Sequence, residues 1–172
     1  MKYHKQQHIY DPTKDERGSC YPTVLACLLD LELDKVPNFH LFYFTDEEEN
    51  RIKKFYLDKH CNGNYDTAEE YQKQNYTNNV SKSAILWYEC LDYFLLSRGY
   101  VESKIMKEDY KDWLTKNPDT PYMVTGKSSR GVLHVVIYIN DKMVHDPHPS
   151  NDGLLELVEE PYSFLRKFET NQ

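Results

Sequence analysis

The chain is short of the features that settle most function classes at once. No apolar run comes near the length of a membrane span, and "MKYHKQQHIY" at the start lacks the apolar stretch of a secretory signal. Basic residues are outnumbered, 21 Lys and Arg against 28 Asp and Glu, for a formal charge of −7. That balance argues against a nucleic-acid partner or an anionic membrane surface, since both are held by Lys and Arg on phosphate. The four cysteines, Cys20, Cys27, Cys61 and Cys90, form no CxxC pair, so neither a disulfide framework nor a cysteine zinc site is expected. Together these absences point to a cytoplasmic protein with no membrane and no nucleic-acid partner. They leave its oligomeric state open.

What the chain does have is a core. Apolar residues make up 40% of it and aromatics 14%, with 15 tyrosines, enough for one domain over residues 1–172. In "CYPTVLACLLDL", Val24, Leu25, Leu28 and Leu31 keep helical spacing, Pro22 suits the first turn, and Pro37 marks the stop. Helices are also expected in "TDEEENRIKKFYLDKH", in "SKSAILWYECLDYFLLSRGY" with Gly99 at its end, and around "KEDYKDWLTKN". After Pro118 the pattern turns strand-like in "PYMVTG", "GVLHVVIYIN" and "KMVHD", with Asn140–Asp141 as a hairpin turn. "LLELVEEPYSFLRKF" reads as a final strand and a short helix. Helices first and an antiparallel sheet afterwards is an α+β layout.

Among the cysteines, Cys20 differs by its place. It follows Gly18 and Ser19 where a helix begins, and unpaired backbone N–H groups and the helix dipole there favour the thiolate, the nucleophilic form. Cys27 and Cys90 fall on apolar helical faces and read as core residues, while Cys61 sits in a polar stretch without an evident partner. Downstream, alternation puts His134, Val136, Tyr138 and Asn140 on one face of a strand, read as the more polar one. A hairpin turn at Asn140–Asp141 sets Lys142 beside Ile139 and brings Asp146 back toward His134 and Val135. A carboxylate on one imidazole nitrogen, with the other left for a thiol, is the base–orienter half of a nucleophile triad.

A rival reading makes His134, His145, Asp146 and His148 a metal site. Adjacent strand residues such as His145 and Asp146 point to opposite faces, however, and Pro147 and Pro149 stiffen the loop, so no metal and no cofactor is expected. "GKSSRG", with Ser128, Ser129 and Arg130, reads either as a cleft wall or as a plain Gly/Ser turn.

"RGSCYPTVLACLLDLELDKVPNF" and "GKSSRGVLHVVIYINDKMVHDPHPS" resemble two blocks of a small bacterial and phage group with a papain-like cysteine-peptidase fold. They are also similar to the peptidases that cleave double-glycine leader peptides. The resemblance spans roughly residues 20–39 and 121–154, leaving 40–117 as a helical, insertion-like region without a recognised motif. It implies Cys20 as nucleophile, His134 as general base and Asp146 as orienter. It also implies an upstream glutamine at the oxyanion, Gln7 first and Gln6 second; beside these, Ser19, Tyr21, Ser128, Ser129, Arg130, His145 and His148 are the candidates for the substrate cleft. Tyr21 stands where many relatives carry Gly or Trp, and "SSRG" where the group tends to have "SPRG". The expected function is that of a hydrolase, a thiol protease or amidase acting on a peptide or small amide in a bacterial or phage-infected cell. The alternative is a catalytically silent binding or inhibitor protein of the same fold, phage-encoded and directed at a host factor.

Overall fold

A computed structural model describes residues 1–11, 18–36, 91, 94–95 and 98–167. The chain divides into two compact units, Met1–Asn38 with Gly99–Gln172, and Phe39–Arg98. In the second unit Leu91, Phe94 and Leu95 are helical and buried. The Arg98 guanidinium lies 3.9 Å over the Phe94 ring and donates to the Phe94 carbonyl. The helix expected in 45–60, the polar stretch after it, Cys61 and Cys90 lie outside the described residues.

The first unit is mixed α/β. Helix α1 (Cys20–Leu28) and a 3₁₀ turn (Leu33–Lys35) are followed by β1 (Tyr100–Ile105), α2 (Tyr110–Lys116), β2 (Tyr122–Lys127), β3 (Leu133–Ile139), β4 (Lys142–His145) and β5 (Glu156–Lys167). The five strands form one antiparallel sheet in the order β1-β5-β2-β3-β4. In α1, Pro22 through Cys27 are all buried, and the helix lies along β3. It stops at Leu28 rather than running to Leu31. Asp30 takes φ 56°, and the Leu31 and Asp30 N–H groups close back on the Ala26 and Cys27 carbonyls. That pair of bonds is a Schellman end built on aspartate instead of glycine.

Two further elements depart from expectation. β1, read as no strand from its sequence, pairs with β5 along its whole length. "LLELVEEPYSFLRKF" contains no helix: Glu156–Lys167 is a single strand, held extended by β1 on one side and β2 on the other. Tertiary pairing has overridden the helix formers in that stretch.

The register places His134, Val136 and Tyr138 opposite Gly126, Val124 and Tyr122. Their shared face is not a polar one. Ile105, Tyr122, Val124 and Val136 are buried together there, with Tyr110, Trp113 and Leu114 of α2 packed against them. Tyrosine makes this face apolar in its rings and polar only at its rim. At that rim the Tyr110 and Tyr122 hydroxyls lie 2.6 Å apart, and Tyr110 donates to Asp141 at 2.7 Å. Asn140 and Asp141 both have positive φ, 49° and 59°, as a two-residue hairpin turn with the twist of its strands requires. Ile139 faces Lys142, and a bulge between Tyr138 and Ile137 then sets His145 opposite Ile137. The chain leaves β4 one residue later, at Asp146.

Candidate active site

Asp146 is wholly enclosed. Its side chain is 0% exposed and that of His134 2%, and the two meet with His134 Nε2 2.7 Å from Asp146 Oδ1. A carboxylate only accepts, so the imidazole carries its proton on Nε2 and donates it there. The remaining oxygen sites are filled by backbone: the His148 N–H donates to Oδ1 at 2.7 Å and the Gly153 N–H to Oδ2 at 2.8 Å. Gly153 reaches in from a left-handed turn, φ 68°.

Cys20, the first residue of α1, also acts on His134, its thiol near enough to raise the imidazole pKa. With Nε2 engaged by Asp146, Nδ1 is the ring nitrogen left for the thiol. The strand, the helix start and the loop after β4 thus bring thiol, imidazole and carboxylate together. Burial, the largest influence on His134, disfavours the imidazolium, yet the hydrogen bonds to Asp146 and then Cys20 outweigh it and raise its pKa to about 9. Burial likewise pushes Asp146 up, and the hydrogen bonds from His134, Gly153 and His148 overcome it, leaving a pKa of about 2.

The glutamines separate in burial along the N-terminal segment, which bends at Gln7. Gln7 is exposed; Gln6 is buried. Gln6 donates from Nε2 to the His8 carbonyl at 3.2 Å, and the same carbonyl accepts the Ser19 N–H at 2.9 Å, so its amide lies beside the Gly18–Ser19 peptide, just before Cys20. Gln6 Oε1 is buried without a hydrogen-bond partner. Ser19 is buried as the residue before α1, its hydroxyl taken up by His8 rather than by the helix. Tyr21 turns to the sheet edge and donates to Glu102 at 2.5 Å.

The remaining expected cleft residues divide in the same way. Ser128 is buried and closes the β2–β3 turn on the Val132 carbonyl. Ser129 and Arg130 are exposed and reach across to Asp152 and Ser150. His148 stands edge-on to His134, with ring centroids 6.2 Å apart. The Ser150 N–H donates to its Nδ1, so its proton sits on Nε2, which is buried and unpartnered. Burial and then the Arg130 charge hold its pKa down, keeping it neutral. His145 points away, donating to the His4 carbonyl at 2.7 Å with its ring against Tyr3. Among the described residues no three His, Cys, Asp or Glu are grouped to hold a metal ion.

Three participants escaped sequence reasoning: Lys5, Ser150 and Gly153. The "DG" at Asp152–Gly153 was a readable turn signal. Lys5 offered none, because its acceptors, two backbone carbonyls and the Asn151 side chain, lie far along the chain. Among the described residues, no helix is long and apolar enough to cross a membrane. No protein-family model, curated protein or solved structure matches the chain.

Proposed function

We propose that the chain is a cysteine-dependent hydrolase of papain-like type, a peptidase or amidase acting through Cys20, His134 and Asp146. One observation carries the reading: a buried imidazole shared between the Cys20 thiol and a fully enclosed carboxylate 2.7 Å away. In the reaction His134 Nδ1 takes the thiol proton and the sulfur attacks the substrate carbonyl carbon. The Nδ1–H is then given to the departing amine as the C–N bond breaks. In the second half His134 deprotonates water, hydroxide attacks the acyl carbon, and the C–S bond breaks to release a carboxylic acid and the free thiol. Asp146 keeps the ring in the required tautomer and stabilises the imidazolium between the two proton transfers.

The oxyanion is assigned to the Cys20 backbone N–H and to Gln6 Nε2, in preference to Gln7. The first N–H groups of a helix have no carbonyl within it, and the Gln6 amide lies beside the Gly18–Ser19 peptide that leads into Cys20. Ser129 and Arg130 form the exposed wall of the cleft nearest His148.

Limited alkylation with iodoacetamide, followed by peptide mass mapping, tests the reading. Cys20 should be modified well ahead of Cys27, Cys61 and Cys90 in the folded protein, and His134→Ala should abolish that preference. Equal modification of every cysteine would sink the triad and return the fold to a binding or inhibitor role.

A further inference from the structure

The loop that carries Asp146 is gripped from outside by two residues of the N-terminal segment. Lys5 Nζ donates to the Asp146 carbonyl at 2.7 Å, to the His148 carbonyl at 3.0 Å and to Asn151 Oδ1 at 2.5 Å. The Gln6 N–H donates to the Pro147 carbonyl between them at 2.9 Å. Three successive carbonyls are therefore turned outward onto Lys5 and Gln6.

Peptide planarity makes this more than a fastening. In a trans peptide the carbonyl and the following N–H point in opposite directions. The Pro147 carbonyl that accepts from Gln6 shares its plane with the His148 N–H, and that N–H donates to Asp146 Oδ1 at 2.7 Å. Holding the outer end of the plane aims the inner end at the carboxylate. Pro147 and Pro149 have no N–H, so His148 supplies the only backbone donor of residues 147–149. Lys5 fixes the peptide planes on either side, through the Asp146 and His148 carbonyls.

We propose that Lys5 is a positioning residue for the Asp146 carboxylate, acting through the backbone of residues 146–151 to aim the His148 N–H at it. The inference rests on the reading of Asp146 as the orienter of His134. It explains why a lysine, with three donors on one compact ammonium, stands where three acceptors converge. Lys5 faces the outside of the loop and makes no contact with the carboxylate itself. The charged or titratable groups on the inside are His134 from β3, with Cys20 of α1 behind it, and His148, beside which Arg130 comes from the β2–β3 turn. His145 lies next to Lys5 on the outer side, donating to His4.

Nuclear magnetic resonance of Lys5→Met, Lys5→Arg and Asn151→Ala decides the matter without a substrate. In Lys5→Met, exchange of the His148 amide should accelerate roughly tenfold or more as the loop opens locally. The Asp146 carboxyl midpoint should rise by about one pH unit as its backbone donors drift. Lys5→Arg should restore most of both, and Asn151→Ala should show a smaller change in the same direction. A folded Lys5→Met protein with both readings unchanged overturns the proposal, as does failure of arginine to restore them. If Lys5→Met does not fold, an unchanged Asn151→Ala overturns it. Unselective alkylation of Cys20 would remove the proposed reaction yet leave the hold of Lys5 on the carboxylate measurable, so the two failures are distinct.

Discussion

At the scale of single residues, Gln6 and Gln7 show how one step along the N-terminal segment separates a site residue from a bystander. The chain bends at Gln7, and only one of the two packs toward the start of α1. Gln6 does, buried 8% exposed with its Nε2 on the same carbonyl as the Ser19 N–H, while Gln7 is exposed. A donor aimed at a developing oxyanion contributes about a hundred- to thousandfold to rate. Gln6→Ala is therefore expected to slow acylation of Cys20 by an electrophilic amide probe by about that factor. Gln7→Ala should stay within about twofold, the small effect of an exposed change away from the site. Equal loss in both variants would remove the glutamine from the oxyanion. The orphaned Gln6 Oε1 fits a side chain held for what its other end does, because an unpaired buried carbonyl costs about 1–3 kcal/mol.

At the scale of elements, the position of His134 depends on its partner across the ladder, Gly126. Between Val124 and Gly126 the pairing of β2 with β5 slips from Tyr162 to Leu157, and the β5 backbone bulges toward β2. A Cβ at Gly126 would lie 2.3 Å from the Glu156 carbonyl oxygen, a contact with backbone that no rotamer relieves. Gly126→Ala should lower the chemical-denaturation midpoint by the equivalent of about 3 kcal/mol, as overpacking into a rigid neighbour does. It should also blunt Cys20 alkylation in the protein that still folds, since His134 moves with its strand. An unaltered midpoint would mean that β5 gives way easily. None of this was legible beforehand, because a lone glycine does not say which strand crowds it. What could be read were the features set by neighbours in sequence: the apolar spacing of α1, the β-branched run of β3 and the Asn140–Asp141 turn. The pairing of Ile139 with Lys142 follows from that turn. β1 was illegible because an edge strand with Glu102, Ser103 and Lys104 carries no apolar alternation, and its pairing with β5 supplies what the residues lack. The chance of a thiol, an imidazole and a carboxylate meeting was readable from local cues. Their support from Lys5 was not, since a lysine bonding carbonyls some 140 positions away leaves no local pattern.

At the scale of the whole molecule, the site is assembled from both ends of the sheet-bearing unit. Cys20 and Gln6 come from the N-terminal part, His134 from β3 and Asp146 from the loop after β4. No local piece of chain contains the pair and its supports, so its electrostatics must be felt by global unfolding. The signs follow from the two shifts. His134 has a folded pKa raised from 6.5 to about 9, so its contribution is complete below 6.5 and is lost as pH rises through 9. Asp146 has a folded pKa lowered from 3.8 to about 2, so its contribution is complete above 3.8 and is lost as pH falls through 2. The window in which both act runs between these ordinary values, and the stabilisation there is on the order of 2 kcal/mol. Urea unfolding of the wild type and Asp146→Asn across pH should therefore diverge most near pH 5. The two curves should converge toward pH 2 and again toward pH 9, where the same loss of imidazolium should take away the acid that protonates the leaving amine. A gap that stays constant from pH 5 to pH 9 would show that Asp146 stabilises the fold as a hydrogen-bond acceptor alone. His134 would then remain neutral in the resting protein, and Cys20 would lose its proton only when substrate arrives.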